Sequence, residues 1–210
     1  RAVEAPWIRD LAGVVVEAVE ASVEGHGLRE RGAVLFTHWG LSGPAVLKCS
    51  AWGARWLYEQ GYRAILEINW LHPHSLEETL STLRQFKALP ANQKKTIQAN
   101  NPLTVLPLRL WQRLVMHQGI TDQDQWANIS KDKLLRLAEE VCTGFYEISG
   151  KGSFKDEFVT CGGVKLDEID FRTMESNLVP ELFFAGEVLD IDGLTGGFNF
   201  QNAWTTAFLA

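Results

Sequence analysis

Two stretches near the end of the chain carry the residue types from which a ligand site is made. Phe183-Phe184-Ala185-Gly186-Glu187-Val188-Leu189-Asp190 sets two carboxylates behind an apolar run, and Gly193-Leu194-Thr195-Gly196-Gly197-Phe198-Asn199 follows within a few residues. The apolar run 182–185 predicts a short buried strand covered on both faces. Gly186 would let the chain leave it with no side chain in the way of a ligand. Glu187 and Asp190 then fall at the strand's carboxyl end, where open α/β sheets bind ligands, and could accept hydrogen bonds from ribose or ribityl hydroxyls. Behind Gly196 and Gly197 a helix is predicted to open at about Asn199. Its first N–H groups are unpaired and carry the positive end of its dipole, which suits an electron-rich ring edge or a phosphate.

Three further groups are weighed against plainer readings. Cys161-Gly162-Gly163 would allow close approach of another backbone or a flat ring; Cys161 itself reads as a small buried apolar residue, with nothing nearby in sequence to lower its pKa. In Thr37-His38-Trp39, His38 could be a proton donor near a substrate, a role histidine commonly fills, against a capped turn held by histidine hydrogen bonds. His72-Pro73-His74 invites a metal, but no cysteine or carboxylate cluster completes it at ligand spacing, so no metal site is expected. There is no serine nucleophile elbow and no Gly-x-x-x-x-Gly-Lys phosphate loop.

The elements that must position these residues fall into two textures. Valine-rich 7–24, then 33–37 and 62–70, predict strands of a small antiparallel sheet or barrel. Between the last two, Ser42 is expected to cap a helix with Pro44 in its first turn, running through Leu47, Ala51, Ala54 and Tyr58 and ending at Gly61 as the C′ residue. After Pro73 the period becomes helical. Ser75-Leu76-Glu77-Glu78 is a capping box, 90–99 a polar helix, and Pro107 and Ser130 open helices bearing Leu110, Trp111, Leu114, Val115 and Leu134, Leu137, Ala138, Val141. A strand at 145–149, a turn at 150–153 and a strand at 158–160 lead into an α/β texture. The fold class expected is α+β. It divides into a β-rich, barrel-like part with one helix (1–74), a helical part (75–142), a returning strand (143–155) and an α/β segment (156–210).

A formal charge of −6 over 210 residues argues against a nucleic-acid partner, which would call for a basic patch. No apolar run approaches a membrane span and no signal peptide is visible, so no membrane association is expected. Three scattered cysteines fit a reducing cytoplasm. Arg1 in place of methionine and an uncapped apolar end read as a piece cut from a longer chain.

Val159-Thr160-Cys161-Gly162-Gly163-Val164, Thr173-Met174-Glu175-Ser176, 182–190 and Gly196-Gly197-Phe198-Asn199 together resemble the C-terminal signature of bacterial FAD-dependent oxidoreductases of the aminoacetone oxidase type. The run 36–44 is similar to a hallmark of that family's inserted domain. The resemblance implies a split FAD-binding domain: an N-terminal Rossmann segment, a β-rich and helical insert, and a C-terminal return segment. This chain matches the insert and the return, and lacks the N-terminal glycine fingerprint. The flavin-binding residues it implies are Gly162, Gly163, Gly186, Glu187, Asp190, Thr195, Gly196, Gly197, Phe198 and Asn199. Glu187 replaces the aspartate of many relatives, and Cys161 the usual alanine. His38 is the best polar candidate at the substrate, and no catalytic acid or base is assigned.

The function implied is FAD-mediated hydride or electron transfer between a small organic substrate and NAD(P)H, NAD(P)+ or oxygen. With the pyrophosphate loop missing, the 210 residues alone are expected to bind FAD weakly and to lack activity until the N-terminal FAD-binding segment joins them. A non-catalytic interaction or oligomerisation module is the alternative. A flavin enzyme modifying transfer RNA is a third reading, disfavoured by the acidic charge.

Overall fold

A computed structural model of the chain describes residues 2–3, 6–150, 159–194 and 196–210. Residues 151–153 of the turn predicted at 150–153, Phe158, Thr195 and the boundary near residue 155 lie outside the described residues. The chain divides into two compact units, Arg1–Ser153 and Phe154–Ala210.

The first unit is a closed antiparallel barrel with helices, and the architecture is α+β as expected. Its strands are β1 (Ala2–Val3), β2 (Val15–Val23), β3 (Leu28–Thr37), β4 (Gly40–Ser42), β5 (Arg63–Asn69) and β6 (Gly144–Gly150), in the order β1-β4-β3-β2-β5-β6. β1 bonds to both β4 and β6, pairing Ala2 with Gly40 and Gly150, and this closes the ring. The expected strand from Trp7 is corrected: Pro6–Leu11 is a 3-10 helix. Its three-residue turn stacks Ile8 over Leu11, and both are buried. The β-branched run makes a strand only from Val15.

The helix after β4 also departs from expectation. Ser42 belongs to β4, and α1 (Pro44–Trp52) is capped by Gly43 without a side-chain bond. A β-carbon at Gly43 would lie 2.7 Å from the Ala33 carbonyl oxygen, so the backbones meet too closely for serine to serve there. Gly53 breaks the predicted single helix, and α2 (Ala54–Glu59) follows. It ends in a Schellman motif, with the Gly61 N–H bonded to the Tyr58 carbonyl and the Tyr62 N–H to that of Leu57.

The helical stretch contributes α3 (Leu76–Ala88), α4 (Leu108–His117) and α5 (Lys131–Thr143). Ser75 caps α3 in a full capping box with Glu78, so Ser75→Ala should cost about 1 kcal/mol in a denaturant melt. Ser130 caps α5 by accepting the Lys133 N–H. The polar helix expected at 90–99 is instead a short 3-10 turn, Pro90–Asn92, followed by turns. There Asn92 is buried and donates to the Phe86 carbonyl, a local bond that competes with helix propagation.

One apolar core runs without interruption from the barrel (Val19, Val34, Phe36, Ile68) into the helices (Leu83, Leu110, Trp111, Leu137). At the join, the buried Trp70 indole N–H donates to the Tyr146 hydroxyl at 2.9 Å, and that hydroxyl donates to Glu140 at 2.9 Å. Burial, then the Glu140 charge, push the Tyr146 phenol well above its ordinary range. It therefore stays a neutral donor.

On the outside of β2, Glu20 accepts from Arg29 at 2.8 Å and Arg31 at 2.7 Å, with His72 Nδ1 at 3.6 Å. His72 thus serves this cluster, while the exposed His74 offers its carbonyl to Asn69. Burial raises the Glu20 pKa, but the Arg31 hydrogen bond and the charges of Arg29 and His72 outweigh it, leaving the carboxyl below its ordinary range. A depressed carboxyl contributes stability above the unfolded value and loses it as pH falls through the folded one. Glu20→Gln should therefore lower stability at neutral pH by roughly 1–3 kcal/mol. That deficit should shrink on acidification below about pH 4, as followed by thermal melts of both proteins.

Candidate functional site

The second unit is built on a very small core of Ile169, Met174 and Leu189, with Val164, Phe184 and Ile191 packed against it. A two-stranded hairpin, β7 (Ile169–Asp170) with β8 (Glu175–Ser176), supplies two sides of it. The turn between them places Met174 at φ 59° and is held by Asp170, which accepts from the Arg172 backbone and guanidinium. The expected buried strand at 182–185 is corrected. Phe183 makes a single bridge to Glu175, and Leu182 and Phe183 are 41% and 47% exposed. Only Phe184 packs on the core, so the run is apolar without being covered on both faces. Val159 and Thr160 likewise form no strand.

The Gly162-Gly163 pair and the stretch that follows Gly186 come together. The Val164 N–H donates to the Val188 carbonyl at 2.8 Å, and the Asp190 N–H returns a bond to the Val164 carbonyl at 3.0 Å. Gly163 makes this parallel pairing possible: a β-carbon there would lie 2.5–2.7 Å from backbone atoms of Val188, Leu189 and Asp190. Gly163 thus meets another backbone, whereas Gly162 faces open space. Gly186–Val188 forms a 3-10 turn that carries Glu187 into an exposed position, and Asp190 follows half-buried.

α6 (Phe198–Leu209) opens one residue before the predicted point. Its N-cap is Gly197, in the left-handed region at φ 95°, and no side chain caps it. Nothing stands within 4 Å of a β-carbon placed at Gly197, and only the Phe198 ring near one at Gly196. Among the described residues no side chain caps the first-turn N–H groups, which are thus open to a ligand or water.

Two residues hold the loops in place and escape a sequence reading. The Asn199 amide grips the Gly193 backbone twice, its oxygen accepting the N–H at 2.7 Å and its nitrogen donating to the carbonyl at 2.9 Å. The Asn199 side chain therefore shapes the loop. Buried Thr206 accepts the Gly186 N–H at 2.9 Å and donates to the Asn202 carbonyl at 2.7 Å, fastening the Glu187 turn to α6. Asn199 lay inside the predicted motif without this role. The only signal for Thr206 is a hydroxyl in the middle of an apolar helix, where it bonds back to the carbonyl four residues earlier.

In the first unit, His38 and Trp39 are exposed at the tip between β3 and β4. The turn is held by Thr37, whose hydroxyl donates to the Gly40 carbonyl at 2.9 Å, in place of the histidine bonds expected. Among the described residues no group of three metal-binding side chains occurs, and no helix is long and apolar enough to cross a membrane.

Residues 2–159 match the family model described as HI0933-like protein barrel and H2TH domain. The chain is 38% identical over 175 residues to a protein of Haemophilus influenzae named ribosomal RNA dihydrouridine synthase, covering 83% of this chain and 40% of that protein. It is 37% identical over 207 residues to the protein of the same name from Escherichia coli (94% and 46%). It is 27% identical over 207 residues to the 3-dehydro-bile acid delta(4,6)-reductase of Clostridium scindens (95% and 48%). The chain thus spans somewhat less than half the length of these relatives.

Proposed function

Because the chain belongs to the HI0933-like barrel and H2TH domain family, a flavoprotein-related family, we propose that it works as part of a flavin-dependent oxidoreductase that reduces a carbon–carbon double bond conjugated to a carbonyl. The observation that carries the cofactor is the start of α6, where uncapped N–H groups face a space bordered by Gly196 and Gly197. A flavin edge fits there, since the helix dipole stabilises negative charge on the ring's N1 and C2 carbonyl side. Glu187, exposed on its 3-10 turn, would accept from ribityl hydroxyls. Gly162 leaves room beside the ring. When bound, the flavin supplies hydride acceptance and donation at N5.

The chain's own residues position and pre-organise. Asn199 fixes the loop before the helix, and Thr206 fixes the turn that presents Glu187. The Gly163 pairing sets the 188–190 segment, and with it Asp190. His38 and the β3–β4 tip are a candidate substrate contact. The 210 residues contain no Gly-x-Gly-x-x-Gly loop, so we propose that alone they hold FAD weakly and turn over nothing.

The reductive direction is supported by the relatives' names, each of which denotes adding hydrogen across a double bond; we propose NAD(P)H as the donor. Uridine in ribosomal RNA is the favoured acceptor, because the two proteins named for it share more identity with this chain than the bile acid reductase does. The experiment is optical and chemical. Purified full-length protein should carry flavin absorbance that NADH or NADPH bleaches, and unmodified ribosomal RNA should restore the colour while gaining dihydrouridine. Peroxide formed from aminoacetone, with no reaction on RNA, would move the assignment to the amine-oxidising type. A colourless protein that takes up no flavin on reconstitution would sink the oxidoreductase reading.

A further inference from the structure

Charge is unevenly spread along the chain. The stretch 84–131 holds seven of the 20 Lys and Arg residues but only two, Asp122 and Asp124, of the 26 Asp and Glu. The charge of −6 therefore averages a basic stretch with an acidic remainder. Asp124 is committed locally: its carboxylate accepts the Thr121 N–H at 2.7 Å and hydroxyl at 3.0 Å.

The fold joins the three segments that carry five of these seven positive side chains. Arg84 and Lys87 stand one turn apart on the same face of α3. Lys87 reaches across to donate to the Ile129 carbonyl at 2.6 Å, one residue before the Ser130 cap of α5. Lys94 and Lys95 sit on a turn bonded to the segment leading into α5: the Trp126 N–H donates to the Lys95 carbonyl, and the Ala127 N–H to that of Gln93. Lys131 is exposed in the first turn of α5, beside the exposed Asp132. The partners Lys87 and Lys95 do have are neutral oxygens, Lys95 bonding Asn92 Oδ1 at 2.8 Å. Among the described residues no carboxylate pairs with any of these five side chains. Arg109 and Arg113 are different, being turned toward Asp10.

We propose that the surface formed by the end of α3, the turn at 92–97 and the first turn of α5 holds the phosphate backbone of an RNA substrate. The inference rests on the reading that the acceptor is uridine in RNA. Lysines used as point charges bind phosphate without regard to sequence, displacing condensed counterions and fixing orientation. The acidic remainder of the chain repels RNA elsewhere, so the basic side alone faces the polyanion.

The test uses full-length protein with Arg84→Gln, Lys94→Gln and Lys131→Gln combined, leaving Lys87 and Lys95 to keep their structural bonds. Fluorescence anisotropy of a labelled ribosomal RNA fragment is followed across salt concentrations. The variant should bind at least about tenfold more weakly at low salt, and its slope of log K against log salt should be shallower by about two, roughly 0.7–0.9 per lost contact. Flavin content and bleaching by NADPH should be unchanged, and dihydrouridine formation should suffer in KM more than in kcat. Should the triple variant be unstable, each single substitution is expected to take about a third of that slope change. Unchanged affinity and slope, with the wild type binding, would overturn the surface while leaving the RNA reading intact. A wild type that bleaches with NADPH but does not bind RNA would overturn both this surface and RNA as acceptor, and would spare the oxidoreductase reading.

Discussion

Gly163→Ala should strip the full-length protein of its flavin. The added methyl would sit 2.5 Å from the Val188 carbonyl oxygen and 2.7 Å from the Asp190 nitrogen, closer than carbon approaches either atom. These are backbone atoms, so no rotamer change relieves the contact. The 188–190 segment must move away, breaking the bonds Val164 makes to Val188 and Asp190. Two lost backbone bonds and the overpacking together come to about 2–5 kcal/mol, in a unit whose core has three buried apolar side chains among the described residues. The measurement is the ratio of flavin to protein absorbance after gel filtration, with a melting curve. Gly162→Ala is the comparison: its β-carbon meets nothing within 4 Å, although φ at 105° is strained for alanine. It should cost about 1 kcal/mol and keep most of the flavin. Equal retention by both variants would show that the pairing does not organise the site.

Trp111→Ala should destabilise the barrel as well as the helices. Trp111 is fully buried in α4, its indole N–H donates to the Ile97 carbonyl at 2.9 Å, and its ring stacks on Trp126 at 6.2 Å and 14°. Truncation leaves a cavity and removes one of the two donors to the Ile97 carbonyl, which keeps the Asn100 N–H at 3.3 Å, for about 3–5 kcal/mol. Since one core joins helices and barrel, the lower melting temperature should appear as one transition, seen equally by helical circular dichroism and by amide exchange in β3 and β6. A barrel that keeps its exchange protection while the helices melt would show that the shared core does not couple them.

Local chemistry was legible in the sequence. Ser75 with Glu78, Ser130, and the helical spacing of Leu110, Trp111, Leu114 and Val115 depend on neighbours a few residues away, and the structure places them as read. β5 and β6 were also legible, because alternation is a property of one strand. Long-range placement was not. Nothing around Gly163 says that its missing side chain accommodates Leu189, and nothing around Thr206 says that it holds Gly186. The exposed 182–185 run was misread because hydrophobicity reports a tendency to be covered, not the presence of a cover. The start of β2 was misread because Pro6 and the Ile8–Leu11 spacing allow a tight turn where valine content alone argued for extension.

The closure of the barrel has a consequence for how this unit can vary. β1 and β6 are the first and last strands of Arg1–Ser153, and they are hydrogen-bonded neighbours, Ala2 opposite Gly150 and Val3 opposite Ile148. The polypeptide therefore sets out and comes home through a single pair of rungs. Whatever lies between those rungs can lengthen, shorten or be exchanged over evolutionary time without shifting the two points from which it hangs. The entropic cost of a longer excursion grows only with the logarithm of its length. Size differences among relatives should accordingly collect between β1 and β6, and the spacing of the rungs should stay constant.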